Sequence, residues 1–246
     1  MGKLNKIFIF LGITVAMLLS GISAWAQGYS GERFYDGEHK NVISGYVMGG
    51  SNVVTGGFGG LSGTYVRHFT PRWHLAGDAQ MQFGKKLFSV DVRGGYRLPV
   101  KYGNIYFTGK IMYNYYGMFG FHEQAYNLSA TWESAYVDIR IGESIIHYHS
   151  HVWGKGWGYT EPLTFTFGFG VNIRHRNNPW NLGLFIRNYD QFYYENWNIN
   201  WGLRWHARVK EPWTLFGELN VRPAGSISQL ASKYETSMKI GLRYKM

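Results

Sequence analysis

From Trp197 to Val209 the chain alternates without a break. Trp197, Ile199, Trp201, Leu203, Trp205, Ala207 and Val209 are interleaved with Asn198, Asn200, Gly202, Arg204, His206 and Arg208. A period of two places the aromatic set on one face of an extended strand and the polar, basic set on the other. The same alternation returns over Trp73–Phe83, Phe88–Leu98, Leu163–Ile173 and Tyr234–Tyr244. Each is about eleven residues, twice the usual strand of a soluble fold and long enough to cross a bilayer at a tilt of about 45°. The chain must therefore fold as long ribbons that separate two unlike media.

Twelve such segments are predicted, at 42–51, 57–69, 72–84, 87–98, 104–117, 125–141, 144–153, 161–175, 179–189, 195–209, 212–222 and 233–246. In 125–141 the apolar positions pass from even (Tyr126, Leu128, Ala130, Trp132) to odd (Ala135, Val137, Ile139, Ile141). A bulge near Glu133 or a strand beginning near Ser134 accounts for the change. Short breaks with proline follow every second segment, at Pro71, Pro99, Pro179 and Pro212, and Gly142-Glu143 is read as one more tight turn. Most of the other breaks are longer (117–124, 154–160, 189–195 and 223–233).

Residues 1–26 read as a secretory leader: Lys3 and Lys6, an apolar run from Ile7 to Leu19, and the small-x-small site Ala24-Trp25-Ala26. Residues 27–41 form a short periplasmic N-terminal arm, and 42–246 a single barrel domain. The formal charge is +10, of which Lys3 and Lys6 supply two. That basic balance favours anionic partners, but an exported chain does not meet nucleic acid. There is no cysteine, so no disulfide holds the fold.

Alternation alone does not say which face meets the core, since a soluble carrier barrel also alternates, with its apolar face inward. Three features choose the lipid-facing arrangement. The strands are long. Aromatic rings (Trp73, Tyr96, Trp180, Trp197, Trp213, Tyr234, Tyr244) cluster near the ends of the apolar faces. The chain ends inside a strand, Lys239–Met246, able to close against the first. Leader, dyad strands, unequal connections and the terminal "MKIGLRYKM" together resemble the outer-membrane β-barrel proteins of Gram-negative bacteria, a porin-like superfamily. The resemblance covers residues 42–246 and implies an all-β, closed antiparallel up-and-down transmembrane barrel in the bacterial outer membrane, with membrane lipids as its surroundings.

Inside such a barrel the basic positions become a lining. Arg97, Arg140, Arg174, Arg208 and Arg243 recur near the short-turn ends of five segments, with Arg93 and Arg204 one or two layers higher. Arg67 joins this ring if its phase is inward. With Lys110, Arg187, Arg222, Lys239 and Lys245 the expected inward bases are twelve, and the expected inward acids are five (Asp78, Asp91, Asp138, Glu218, Glu235), which leaves an excess of seven positive charges. That lining implies a narrow channel or binding barrel for small anionic solutes. Cross-paired charges that plug the lumen give the other outcome, a structural or adhesion barrel without conductance. His147, His149 and His151 share one face and form a candidate metal site. Ser150 beside His149, and Ser226, Ser228 and His122 in predicted loops, are the residues a lipid deacylase or phospholipase would draw on. Aromatic stretches at 115–121, 153–159 and 190–194 are predicted loops at the barrel mouth. No cofactor is called for, and the pattern fixes no oligomeric state. Mass spectrometry of the exported protein should find Gln27 as its first residue; retention of residues 1–26 would refute the leader assignment.

Overall fold

A computed structural model of the chain describes residues 40–52, 56–84, 86–117, 120–150, 157–175, 177–188, 199–223 and 234–246. Twelve strands follow one another: β1 (Asn41–Asn52), β2 (Gly56–His68), β3 (Trp73–Gln82), β4 (Leu87–Val100), β5 (Gly103–Tyr116), β6 (Phe121–Glu133), β7 (Val137–Ser150), β8 (Trp157–Asn172), β9 (Trp180–Arg187), β10 (Asn200–Lys210), β11 (Trp213–Pro223) and β12 (Tyr234–Lys245). Each pairs antiparallel with its sequence neighbours, and β12 pairs with β1 to close the barrel. The closing register runs from Val42 opposite Lys245 to Ser51 opposite Thr236. Closure removes the free edge, so the strands' backbone groups find partners within the wall.

The apolar set faces outward. Trp201, Leu203, Leu61, Val92, Ile111, Leu128, Leu184 and Ile240 are all exposed, while Gly202, Arg204 and His206 on the alternate positions of β10 are buried. Leu128 is 73% exposed. Such a surface is stable only against hydrocarbon. Aromatic pairs mark the short-turn end of this belt, where Trp73 lies 4.7 Å from Tyr96 and Trp213 lies 4.6 Å from Tyr244.

The break between the sixth and seventh strands differs from the expectation. The change of parity is a hairpin, not a bulge: β6 ends at Glu133, Ser134–Tyr136 turn the chain, and β7 begins at Val137. The Ser134 hydroxyl caps the turn, accepting from Val137 N–H at 3.0 Å and donating to the Val137 carbonyl at 3.0 Å. Gly142-Glu143 is then no turn but the middle of β7. Gly142 faces inward there by the parity of the strand, and a Cβ on it would lie 2.7 Å from the Leu128 carbonyl oxygen, so the position has no room for a side chain. Glu143 lands on the outer face, between Leu128 and Phe165. The expected long loop at 117–124 also disappears. β5 and β6 are joined across Gly117–Gly120, with Gly120 at positive φ and Tyr116 stacked on Phe121 at 4.4 Å inside the barrel.

Ile111 is exposed in the middle of β5, between Val92 and Tyr126, and Arg in its place should lower unfolding stability in lipid vesicles by about 2–4 kcal/mol. Urea titration of the Ile111→Arg variant measures it, and an unchanged midpoint would mean that this face does not meet hydrocarbon.

Candidate functional site

The lumen wall carries seven buried bases (Arg93, Lys110, Arg140, Arg187, Arg204, Lys239, Arg243) among the described residues. Six buried acids accompany them: Asp91, Glu123, Glu133, Asp138, Glu218 and Glu235. Among these buried groups the excess is therefore one charge, against the seven expected of all inward positions. Glu123 and Glu133 enter the count because β6 runs without interruption to Glu133, which keeps its odd positions inward. Arg174, in the turn after β8, and Arg208, near the end of β10, leave it because both are exposed.

The charges are built into pairs. Arg204 reaches across from β10 to Asp138 on β7, with Nη2 donating to Oδ1 at 2.6 Å and Nη1 to Oδ2 at 3.3 Å. The same Nη2 donates to Asn172 Oδ1 at 3.2 Å. Two glycines make this possible: a Cβ on Gly170 would lie 2.6 Å from Arg204 Nη2 and from Asp138 Oδ2, and one on Gly183 would lie 3.0 Å from Arg204 Nε. Arg187 grips Glu218 with both terminal nitrogens, at 2.7 and 3.2 Å, and Lys239 approaches the same carboxylate at 3.6 Å. Arg243 lies with its guanidinium carbon 5.4 Å from the Phe216 ring centre.

A third group lies on β4, β5 and β7. Arg93 and Lys110 both pair with Asp91, Lys110 at 3.6 Å. Arg140 donates to Asn127 Oδ1 at 2.7 Å and lies within electrostatic reach of both Arg93 and Lys110. Asp78 also lies within reach of Lys110 and accepts from the Thr64 hydroxyl. Three cations thus share a neighbourhood with two carboxylates. Toward the loop end, β4–β7 fill the interior with Leu87, Met112, Tyr116, Phe121, Ala125, Ile146 and Tyr148. This apolar filling was not read from the sequence; its signal is the even-numbered Met112 and Tyr116, in phase with Lys110 and Asn114.

The seven predicted arginines therefore divide. Arg93, Arg140, Arg204 and Arg243 are buried in the lumen. Arg97 is half-buried at the turn end, donating to Asn104 Oδ1 at 2.8 Å. Arg174 stacks on Trp180, its guanidinium carbon 3.3 Å from the ring centre, and Arg208 pairs with Glu211 at 2.9 Å. Arg67 points outward.

His147 and His149 lie together on the outer face, not in the lumen, and His151 lies outside the described residues. His147 Nδ1 contacts Thr160 Oγ1 at 2.8 Å. Among the described residues no three His, Cys, Asp or Glu side chains are grouped to hold a metal. Ser150 is buried and donates to the Gly120 carbonyl at 3.1 Å, while His149 is exposed on the opposite face, so this pair cannot act together. His122 is not in a loop but in β6, opposite His149. Ser226, Ser228 and residues 190–194 lie outside the described residues, as do 153–156 of the second aromatic stretch.

No protein-family model and no curated protein sequence matches the chain. Solved structures do match it in fold. The KdgM porin in complex with disordered oligogalacturonate superposes with a TM-score of 0.56 at 8% identity, over 83% of this chain and 99% of that one. The NanC porin gives 0.51 at 12% identity, over 84% and 100%, and the outer-membrane protein Omp33 of Acinetobacter baumannii gives 0.50 at 10%, over 85% and 98%. The fold is that of bacterial outer-membrane β-barrel proteins, and the outward apolar belt is the surface such a barrel sets in the outer membrane.

Removing one partner of the Arg204–Asp138 pair should cost about 3–5 kcal/mol, and removing both should cost much less. A double-mutant cycle of Arg204→Met and Asp138→Leu, read by urea unfolding in vesicles, checks this. Additive losses would show that the two groups are not coupled.

Proposed function

We propose that the chain is an outer-membrane barrel with a narrow, anion-preferring passage. The observation that carries this reading is the grouping of Arg93, Lys110 and Arg140 around Asp91 and Asp78 in the lumen wall. In a low-dielectric wall a local excess of fixed cations lowers the energy of an entering anion and raises that of a cation. The excess arises from placement rather than from total lining charge, which is close to balanced. The fold shared with the KdgM porin, solved with an anionic sugar oligomer, supports the same direction.

Passage must be narrow. The lumen cations are buried at a few per cent exposure, and the apolar group on β4–β7 occupies the loop-end side. A solute therefore moves by exchanging partners with paired side chains, as a small anion can do with guanidinium groups already bound to carboxylates. That same burial favours a second reading, a structural barrel whose interior is filled by its own ion pairs.

Reconstitution in planar bilayers under a potassium chloride gradient separates the two. Small, discrete currents with a reversal potential on the chloride side are expected. Changing Lys110 and Arg140 together to Gln should move that potential toward zero. A cation-side potential would overturn the anion preference, and complete absence of current from folded protein would establish the filled barrel.

A further inference from the structure

The short-turn rim of the barrel is ringed by exposed bases. Lys40 precedes β1, Arg67 ends the outer face of β2, Arg72 lies in the β2–β3 turn, Lys101 in the β4–β5 turn, Arg174 in the β8–β9 turn, and Lys210 ends β10. Among the described residues of this rim Glu211 is the one exposed acidic side chain, and it is already paired with Arg208. Glu133 and Asp138, the other acids at this level, are buried inside the barrel.

These bases are not scattered over a wet surface. Arg174 lies on Trp180 at 3.3 Å, Lys101 lies 5.2 Å from the Tyr102 ring centre, and Arg67 lies 5.8 Å from that of Phe69. Arg72 Nη1 donates to the Tyr96 hydroxyl at 3.4 Å, and Tyr96 packs on Trp73. Three of these cations thus lie against aromatic rings at the rim, and the fourth, Arg72, is tied to the hydroxyl of a girdle tyrosine. Girdle rings of a membrane barrel sit at the boundary between hydrocarbon and headgroups. A cation fixed beside such a ring is at the depth of lipid phosphate, and a guanidinium presents paired N–H donors to phosphate oxygens.

We propose that this rim is a binding collar for anionic phospholipid headgroups. Short turns of an outer-membrane barrel face the periplasm, so the headgroups it meets are those of the inner, phospholipid leaflet. The collar has the sign, the depth and the donor chemistry for phosphatidylglycerol or cardiolipin, and its spread over four of the turns and the β1–β2 edge suits a lipid annulus. The proposal rests on the membrane placement of the barrel and not on conduction through it, so the bilayer measurements above leave it standing whichever way they fall.

The test uses the folded full chain in phosphatidylcholine vesicles carrying spin-labelled phosphatidylglycerol or spin-labelled phosphatidylcholine, with the motionally restricted fraction read by electron paramagnetic resonance. Preference for the anionic label of about fivefold is expected, from about 1 kcal/mol of attraction per basic side chain near a charged surface. That preference should fall as salt rises from 0.05 to about 0.5 M, because exposed pairs are screened. The quadruple variant Arg67→Gln, Arg72→Gln, Lys101→Gln, Arg174→Gln should lose most of it, whereas Lys86→Gln on the opposite rim should keep it. Heat-dependent gel mobility verifies folding of each variant. Equal affinity of the wild-type protein for both labels overturns the proposal. So does a preference that survives the quadruple change in folded protein. Capture of a soluble polyanion without lipid preference would assign the rim to a soluble partner and overturn it as well.

Discussion

Hydrocarbon offers no hydrogen bonds, and that single fact organises this molecule. A backbone crossing it must satisfy its own N–H and C=O groups, each of which costs several kcal/mol if left open. β12 pairing with β1 answers that requirement, because a sheet closed on itself has no unpaired edge. Once the wall is closed, each strand has one face toward lipid and one toward the lumen, and the period-two sequence is the only pattern that serves both. The tryptophans of β10 lie outside and Arg204 inside for this reason alone.

The interior faces the converse problem. Side chains that cannot face lipid are gathered into a space too small to hydrate them, so charges must find one another. Arg204 spans to Asp138 over two glycines, Arg187 grips Glu218, and Asp91 serves two bases. Such pairs are poor sources of stability compared with apolar packing, yet breaking one strands a buried charge. They therefore specify the interior more than they strengthen it. The same arrangement is what a small anion would encounter, which is why conduction and plugging are competing outcomes of one design rather than separate architectures.

At the short-turn rim the balance of forces changes again. There the chain leaves hydrocarbon, and bases can be exposed if an aromatic neighbour fixes their depth. Arg174 illustrates the difference. Its alternation continues that of β8 and points it inward on paper, but β8 ends at Asn172, and the side chain turns to Trp180 instead. Arg208 departs in the same way: the register shifts between Arg208 and Lys210, and it pairs with Glu211. An extrapolated phase holds only as far as the ladder that imposes it.

The membrane barrel, its twelve strands and the sidedness of its faces were legible in the sequence, because a bilayer tests every second residue and tolerates few exceptions. Parity gave early notice of the β6–β7 junction as well, but a bulge and a hairpin change parity alike, and only the pairing of Glu133 with Asp138 across the Ser134–Tyr136 turn distinguishes them. What the tertiary structure alone decided is who meets whom inside. Arg204 and Asp138 are sixty-six positions apart, and Tyr116 meets Phe121 in the lumen rather than over its mouth. Alternation fixes the face of a side chain. Its height and its partner depend on strand register and on where each ladder stops, and a period of two carries neither.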